Sequence, residues 1–185
     1  MKDPTVLGPH QIGEDPIISF YRGKRPDSSG RYVEDIWAFS YEQLETVHDF
    51  IQWLFPLPVR SAYNPDAPLL TQKTISAFLG NESLRGKLIR SLKLMLVFYG
   101  FELVRDAHGS LLILRSAEFA KRSRQWLSPN NHNHLRLSRI MESARLLGLE
   151  QYSRGLIVIL VGIAHEYPNC VTARTVEFWK RAAGE

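Results

Sequence analysis

Leucine, isoleucine and aromatic residues recur three and four positions apart through most of the chain, the spacing of helices that each turn one face inward. The clearest stripe is Leu84, Leu88, Leu92, Met95, Leu96 and Tyr99, which predicts a helix over 82–99 ended by Gly100. Ser40, with Gln43 three positions on, forms a capping box ahead of Leu44, Val47, Ile51 and Leu54. A single helix is therefore expected over 41–55, until Pro56 and Pro58 stop it. Thr71 caps "QKTISAFLG", with Ile75, Phe78 and Leu79 on its inner face. Pro16 opens a short helix, "PIISFYRG", and "KRPDSSGR" follows as a run of turn formers. Ser116 starts a helix reaching Trp126. Leu135, Ile140, Met141, Ala144 and Leu147 define another, closed by Gly148. Residues 151–166 read as a buried helix, and Val176 with Trp179 marks one side of a last helix over 172–181. Strands compete only in "FELVRDAHGSLLIL", where residues 106–109 can turn. Residues 1–15 read as a flexible arm. The expected fold is all-α, a compact single-domain helical bundle of about six or seven helices over 16–185, with room for one short hairpin.

Composition narrows the class. The chain has 185 residues, 44% of them hydrophobic, enough for one ordinary core without a disulfide or a structural metal. Cys170 is the lone cysteine, which removes any intrachain disulfide and any cluster of thiolate ligands and fits a reducing compartment, so a cytoplasmic location is expected. The start of the chain carries charges and prolines where a signal peptide has an apolar run. The most apolar late stretch, "GLIVILVGIAH", has about ten residues where a bilayer needs roughly 20, so no transmembrane segment is expected. Lysine and arginine number 23 against 19 acidic residues, a net charge of +4 that suits an acidic partner as well as simple solubility.

The chemistry-bearing residues concentrate in "HDFIQWLFPLP" and the loop after it. His48, Asp49 and Gln52 can hydrogen-bond a ligand, or they can pin the loop "YNPDAP" through Asn64 and Asp66, with His48 on a loop carbonyl and Asp49 on loop amides. Trp53, Phe55 and Tyr63 either pack in the core or, left exposed together, mark an interface for a protein, a peptide or a small ligand. Three helices carry basic residues: Arg85, Lys87, Arg90 and Lys93; Lys121, Arg122 and Arg124; Arg136 and Arg139. If these faces adjoin, they can meet phosphates, which makes nucleic-acid binding the second function class. A haem- or metal-binding protein or an enzyme is the third, through convergence of His48, His132, His134 or His165. It is the weakest in motif terms. Histidines two apart in "NHNH" do not share a helix face, no phosphate loop or nucleophile elbow is present, and Cys170 has no placed histidine. No cofactor, metal ligand or catalytic residue is assigned.

Four separated segments carry a resemblance: "FYRGKRPDSSGRYVEDI", "LETVHDFIQWLFPLPVRSAYNPDAPLL", "KLMLVFYGFELV" and "NHNHLRLSRIMESARLLGLEQY", with "VEFWKRA" as weaker support. They are similar to the conserved region of the opioid growth factor receptor family, in its stand-alone form, over nearly the whole chain from Ser19 to Ala182. The resemblance implies a helical fold and a receptor-like, non-catalytic binding role, and it brings no catalytic motif.

Overall fold

In the computed structural model, which describes residues 14–185, ten helices and one two-stranded sheet follow each other along the chain. The molecule is mostly helical but not strictly all-α. Helix α1 (Pro16–Tyr21) is capped by Asp15, whose carboxylate accepts from the amides of Ile17 and Ile18. Most of the expected arm lies outside the described residues. Helix α2 (Val33–Trp37) follows the expected turn run, in a stretch for which no element was expected. Its five residues are too few to show a period, and its start is tied by the Asp35 carboxylate to the Tyr32 amide.

The expected helix over 41–55 is two helices, α3 (Tyr41–Thr46) and α4 (Ile51–Leu54). Val47 is extended, with ψ 128°, and the chain bends before restarting at Ile51. The break is held from a distance. The Arg136 guanidinium donates to the carbonyls of Leu44 at 2.7 Å and Val47 at 2.8 Å, taking the place of the next helical turn as their partner.

Helices α5 (Gln72–Gly80) and α6 (Glu82–Tyr99) follow their apolar stripes, with Leu84, Leu88, Leu92, Met95, Leu96 and Tyr99 all buried. Leu79, expected on the inner face, is instead exposed. Gly100 ends α6 in the left-handed region at φ 87°, and the hairpin β1 (Phe101–Arg105) and β2 (Leu111–Arg115) follows, antiparallel, with Phe101 opposite Arg115.

Helices α7 (Phe119–Trp126), α8 (His132–Leu146), α9 (Glu150–Glu166) and α10 (Ala173–Ala183) complete the chain. Ser116 does not cap α7; its hydroxyl donates to the Gly100 carbonyl and anchors the end of the hairpin to the end of α6. Helices α8, α9 and α10 pack mutually, while β2 lies on α9 and α6 joins β1, α5 and α7. Helix α9 is buried along one side only, since Val158 is 72% exposed, and no described helix is long and apolar enough to cross a membrane. Between the layers, Tyr99, Trp126, His134 and Trp179 meet edge to face, and their polar atoms close on backbone: Trp126 Nε1 to the Tyr99 carbonyl, Trp179 Nε1 to the His134 carbonyl.

Candidate functional site

Helix α8 has two unlike faces. Leu137, Ile140, Met141 and Ala144, spaced three and four apart, are buried. Leu135, expected in the core, sits off that stripe and is 53% exposed. With Ser138, Arg139 and Glu142 it forms one wall of a groove of about 300 Å³. The opposite wall is α4 with the bend before it and the loop after it, contributing His48, Ile51, Gln52, Leu57 and Tyr63. Two smaller hollows continue it. One, a water-sized gap of about 10 Å³, shares Gln52, Leu57 and Arg139 and lies against Pro68 and Leu69; the other, of about 170 Å³, shares Leu135, Ser138 and Glu142 and runs to Phe178 and Arg181 on α10.

The loop that forms the far wall is held by its own polar residues. Asn64 is buried and donates its side-chain amide to the Asp49 carbonyl at 2.8 Å, and the Leu70 amide donates to the Leu57 carbonyl at 3.0 Å. Arg139 donates to the Phe55 carbonyl at 3.1 Å, fixing α4 to α8. The carboxylate of Asp49 turns away from the "NPDAP" amides expected to hold it and takes Arg31 at 2.8 Å and Ser29 at 2.5 Å. Partial burial opposes its ionisation, but those hydrogen bonds and the Arg31 charge outweigh it and hold the carboxyl below its ordinary range.

His48 likewise does not bond a loop carbonyl: its Nδ1 lies 2.9 Å from Arg136 Nη2 and accepts from that guanidinium. Its ring meets that of His132 edge to face at 5.2 Å, and His132 Nε2 lies 3.6 Å from Glu45. Burial and the Arg136 charge push His132 below the usual imidazole range, with Glu45 opposing. Among the described residues no group of three or more histidine, cysteine or acidic side chains is placed to hold a metal ion.

Electrostatically the groove floor is cationic. Arg136 is 6% exposed and burial pushes both it and Arg139 down from the ordinary guanidinium range, opposed by Tyr99 and Glu45 for the first and by Glu142 for the second. An arginine remains charged through such a shift. Among the described residues neither guanidinium has a carboxylate within salt-bridge distance. Gln52, 4% exposed, gives its amide to Ser61 at 3.3 Å while its Oε1 has no hydrogen-bond partner.

The sequence had singled out His48, Gln52, Tyr63, Arg136 and Arg139, and the fold brings all five to this groove. Trp53 and Phe55 go elsewhere. Both are buried, Trp53 packing on Phe20 at 5.3 Å with its Nε1 on Ser28. Asp66 lines a separate hollow beside Trp53 and Pro26. Of the residues expected to meet phosphate, Arg136 is closed inside the fold and Arg139 is tied to α4. Arg85 caps the carbonyls ending α5, Arg90 stacks on Trp37 at 4.1 Å, Arg122 on Tyr41 at 3.4 Å, and Lys87 faces Glu34 at 3.6 Å. Lys121 lies 3.9 Å from Glu118, and Lys93 and Arg124 are exposed. Most of these cations serve the fold or its surface pairs. Leu135, Ser138 and Glu142 were not read as site residues; the signal that could have found Leu135 is its place two positions before Leu137, which puts it on the side of the helix away from the stripe of Leu137, Ile140, Met141 and Ala144.

No solved structure matches the chain. It is 38% identical over 161 residues to the opioid growth factor receptor of Rattus norvegicus, covering 82% of this chain and 27% of the relative. The human receptor of the same name is 37% identical, covering 78% of this chain and 21% of the relative, and opioid growth factor receptor-like protein 1 of Mus musculus is 33% identical, at 78% and 31%. The chain thus spans about a quarter of the length of the curated receptors it matches. The family model for the opioid growth factor receptor conserved region matches residues 13–182, all of the helical body with its groove, and the chain belongs to that family.

Proposed function

We propose that the domain is a non-catalytic binding module whose ligand site is the groove between α4, the following loop and α8. The observation that carries this reading is the pairing of two exposed apolar side chains, Tyr63 at 74% and Leu135 at 53%, across a cleft whose floor holds an unpartnered amide oxygen on Gln52. Apolar walls with a few converging polar groups are what a ligand site requires. The occupant is a peptide segment: the cleft has apolar side chains on both walls and adjoins a second hollow running to Phe178 and Arg181, with room for a further side chain.

Selection of dodecapeptides displayed within a carrier loop tests this. The expected result is peptides whose binding falls at least tenfold with Tyr63→Ala or Leu135→Glu, both surface changes that leave the melting temperature unchanged. Binding indifferent to both substitutions would place the site elsewhere. The relatives' name supplies a second ligand for the same titration, opioid growth factor, whose binding would be lost through the same two substitutions.

A further inference from the structure

We infer that the groove takes an acidic peptide, seating an internal aspartate or glutamate side chain on Arg139 and an adjoining apolar side chain between Leu57, Tyr63 and Leu135. The inference rests on the groove being the binding site and adds the chemistry of what fills it.

Three observations carry it. First, Arg139 lines both the main groove and its extension under the loop, and its hydrogen bond within the fold goes to a neutral carbonyl, that of Phe55. A partly buried cation whose nearest carboxylate, Glu142, acts on it only from beyond ion-pair contact is costly, and a ligand carboxylate supplies the direct partner in the planar geometry a guanidinium favours. Arg136 behind it adds a second positive charge whose donors are already spent on Leu44, Val47 and His48. It strengthens the field and leaves the contact to Arg139. Second, the flanking wall is apolar on both sides, through Leu57, Tyr63 and Leu135, so the ligand carries an apolar side chain next to its acid. A free phosphate satisfies only the first condition. Third, the groove continues toward Phe178 and Arg181 through a hollow of about 170 Å³, room for a further side chain beside the acid, so the ligand is a chain and not an isolated anion.

Glu142 lines the same groove one turn beyond Arg139, has no hydrogen bond or ion pair among the described residues, and opposes a second acid toward α10. Its removal therefore serves as an independent readout, because a merely structural role for Arg139 would not couple to it.

The test uses the loop-displayed dodecapeptide selection against the full chain, followed by matched synthetic peptides, blocked at both ends, in which each aspartate or glutamate is replaced by its amide. The expected result is a consensus with one acid beside an apolar residue, at least tenfold weaker binding of the amide peptide, loss of that difference in Arg139→Gln, its partial return in Arg139→Lys, and tighter binding of the acidic peptide by Glu142→Gln. Should Arg139→Gln fail to fold, the acid and amide peptides on the unaltered chain and on Glu142→Gln decide. Equal binding of acid and amide peptides, with sensitivity to Tyr63→Ala intact, overturns this inference and leaves the groove as the site. Binding insensitive to Tyr63→Ala and Leu135→Glu removes the groove reading and this one together.

Discussion

Arg136 shows how much of this fold depends on a single polar side chain. It is buried, yet its guanidinium serves the carbonyls of Leu44 and Val47 and the ring of His48, groups 88 or more positions away in sequence. Replacing it with alanine strands two helix-ending carbonyls and is expected to cost about 3 kcal/mol or more, read by denaturant unfolding. Arg136→Lys restores little, because one ammonium cannot span the fork of acceptors. An Arg136→Ala protein as stable as its parent would show that the bend after α3 holds without it. Trp53 is the apolar counterpart. Its ring is 3% exposed against Phe20, so Trp53→Ala is expected to lose about 3–5 kcal/mol in the same experiment. A small loss would mean that the proline loop after α4 collapses into the space.

Legibility in sequence differs sharply from one element to another. Helix α6 could be read from its period alone, since its stripe faces a core wide enough to bury every member. Its end could also be read, through Gly100. A Cβ there would lie 2.8 Å from the Phe119 Cα, a backbone atom that cannot step aside, and φ is 87°. Gly100→Ala therefore combines a left-handed strain of about 1 kcal/mol or more with a clash against α7, and thermal unfolding should show a drop of several degrees. No drop would mean that the α6–β1 junction relaxes freely. The break between α3 and α4 was not legible. Leu44, Val47, Ile51 and Leu54 keep helical spacing across it, and the force that opens the helix comes from α8. Helix α2 was hidden by its brevity, and Leu79 and Leu135 by the assumption that a leucine in a helical period faces inward. The candidate site was half legible for the same reason. His48, Gln52 and Tyr63 stand out in one aromatic and proline-rich stretch, but nothing in sequence joins them to Leu135 and Glu142 across about eighty positions of chain.

At the scale of the whole molecule, the aromatic junction of α7, α8 and α10 encloses His134, 5% exposed between Trp126 and Trp179. Burial lowers its affinity for a proton, against the pull of the Trp126 carbonyl, and His132 is lowered too. A histidine whose folded pKa is depressed contributes stability that is present above its unfolded value, near 6.5, and lost as pH falls toward the folded one. The melting temperature is thus expected to fall as pH drops below about 6.5, before the carboxylates titrate, and His134→Gln should flatten that fall. A profile equally steep in the variant would assign the loss to other groups.

The same body positions the groove, and the claim that this groove is where the domain binds can be tested by one spectrum. The isotope-labelled chain is titrated with the tightest peptide from the loop-displayed selection while its amide resonances are followed. The account predicts shifts concentrated at Gln52, Tyr63, Leu135, Arg139 and Glu142. Shifts gathered instead around Arg145, Glu150 and Val158, at a separate hollow lined by α8, α9 and the last residues of the chain, would contradict it, as would a selection that yields no binding peptide at all.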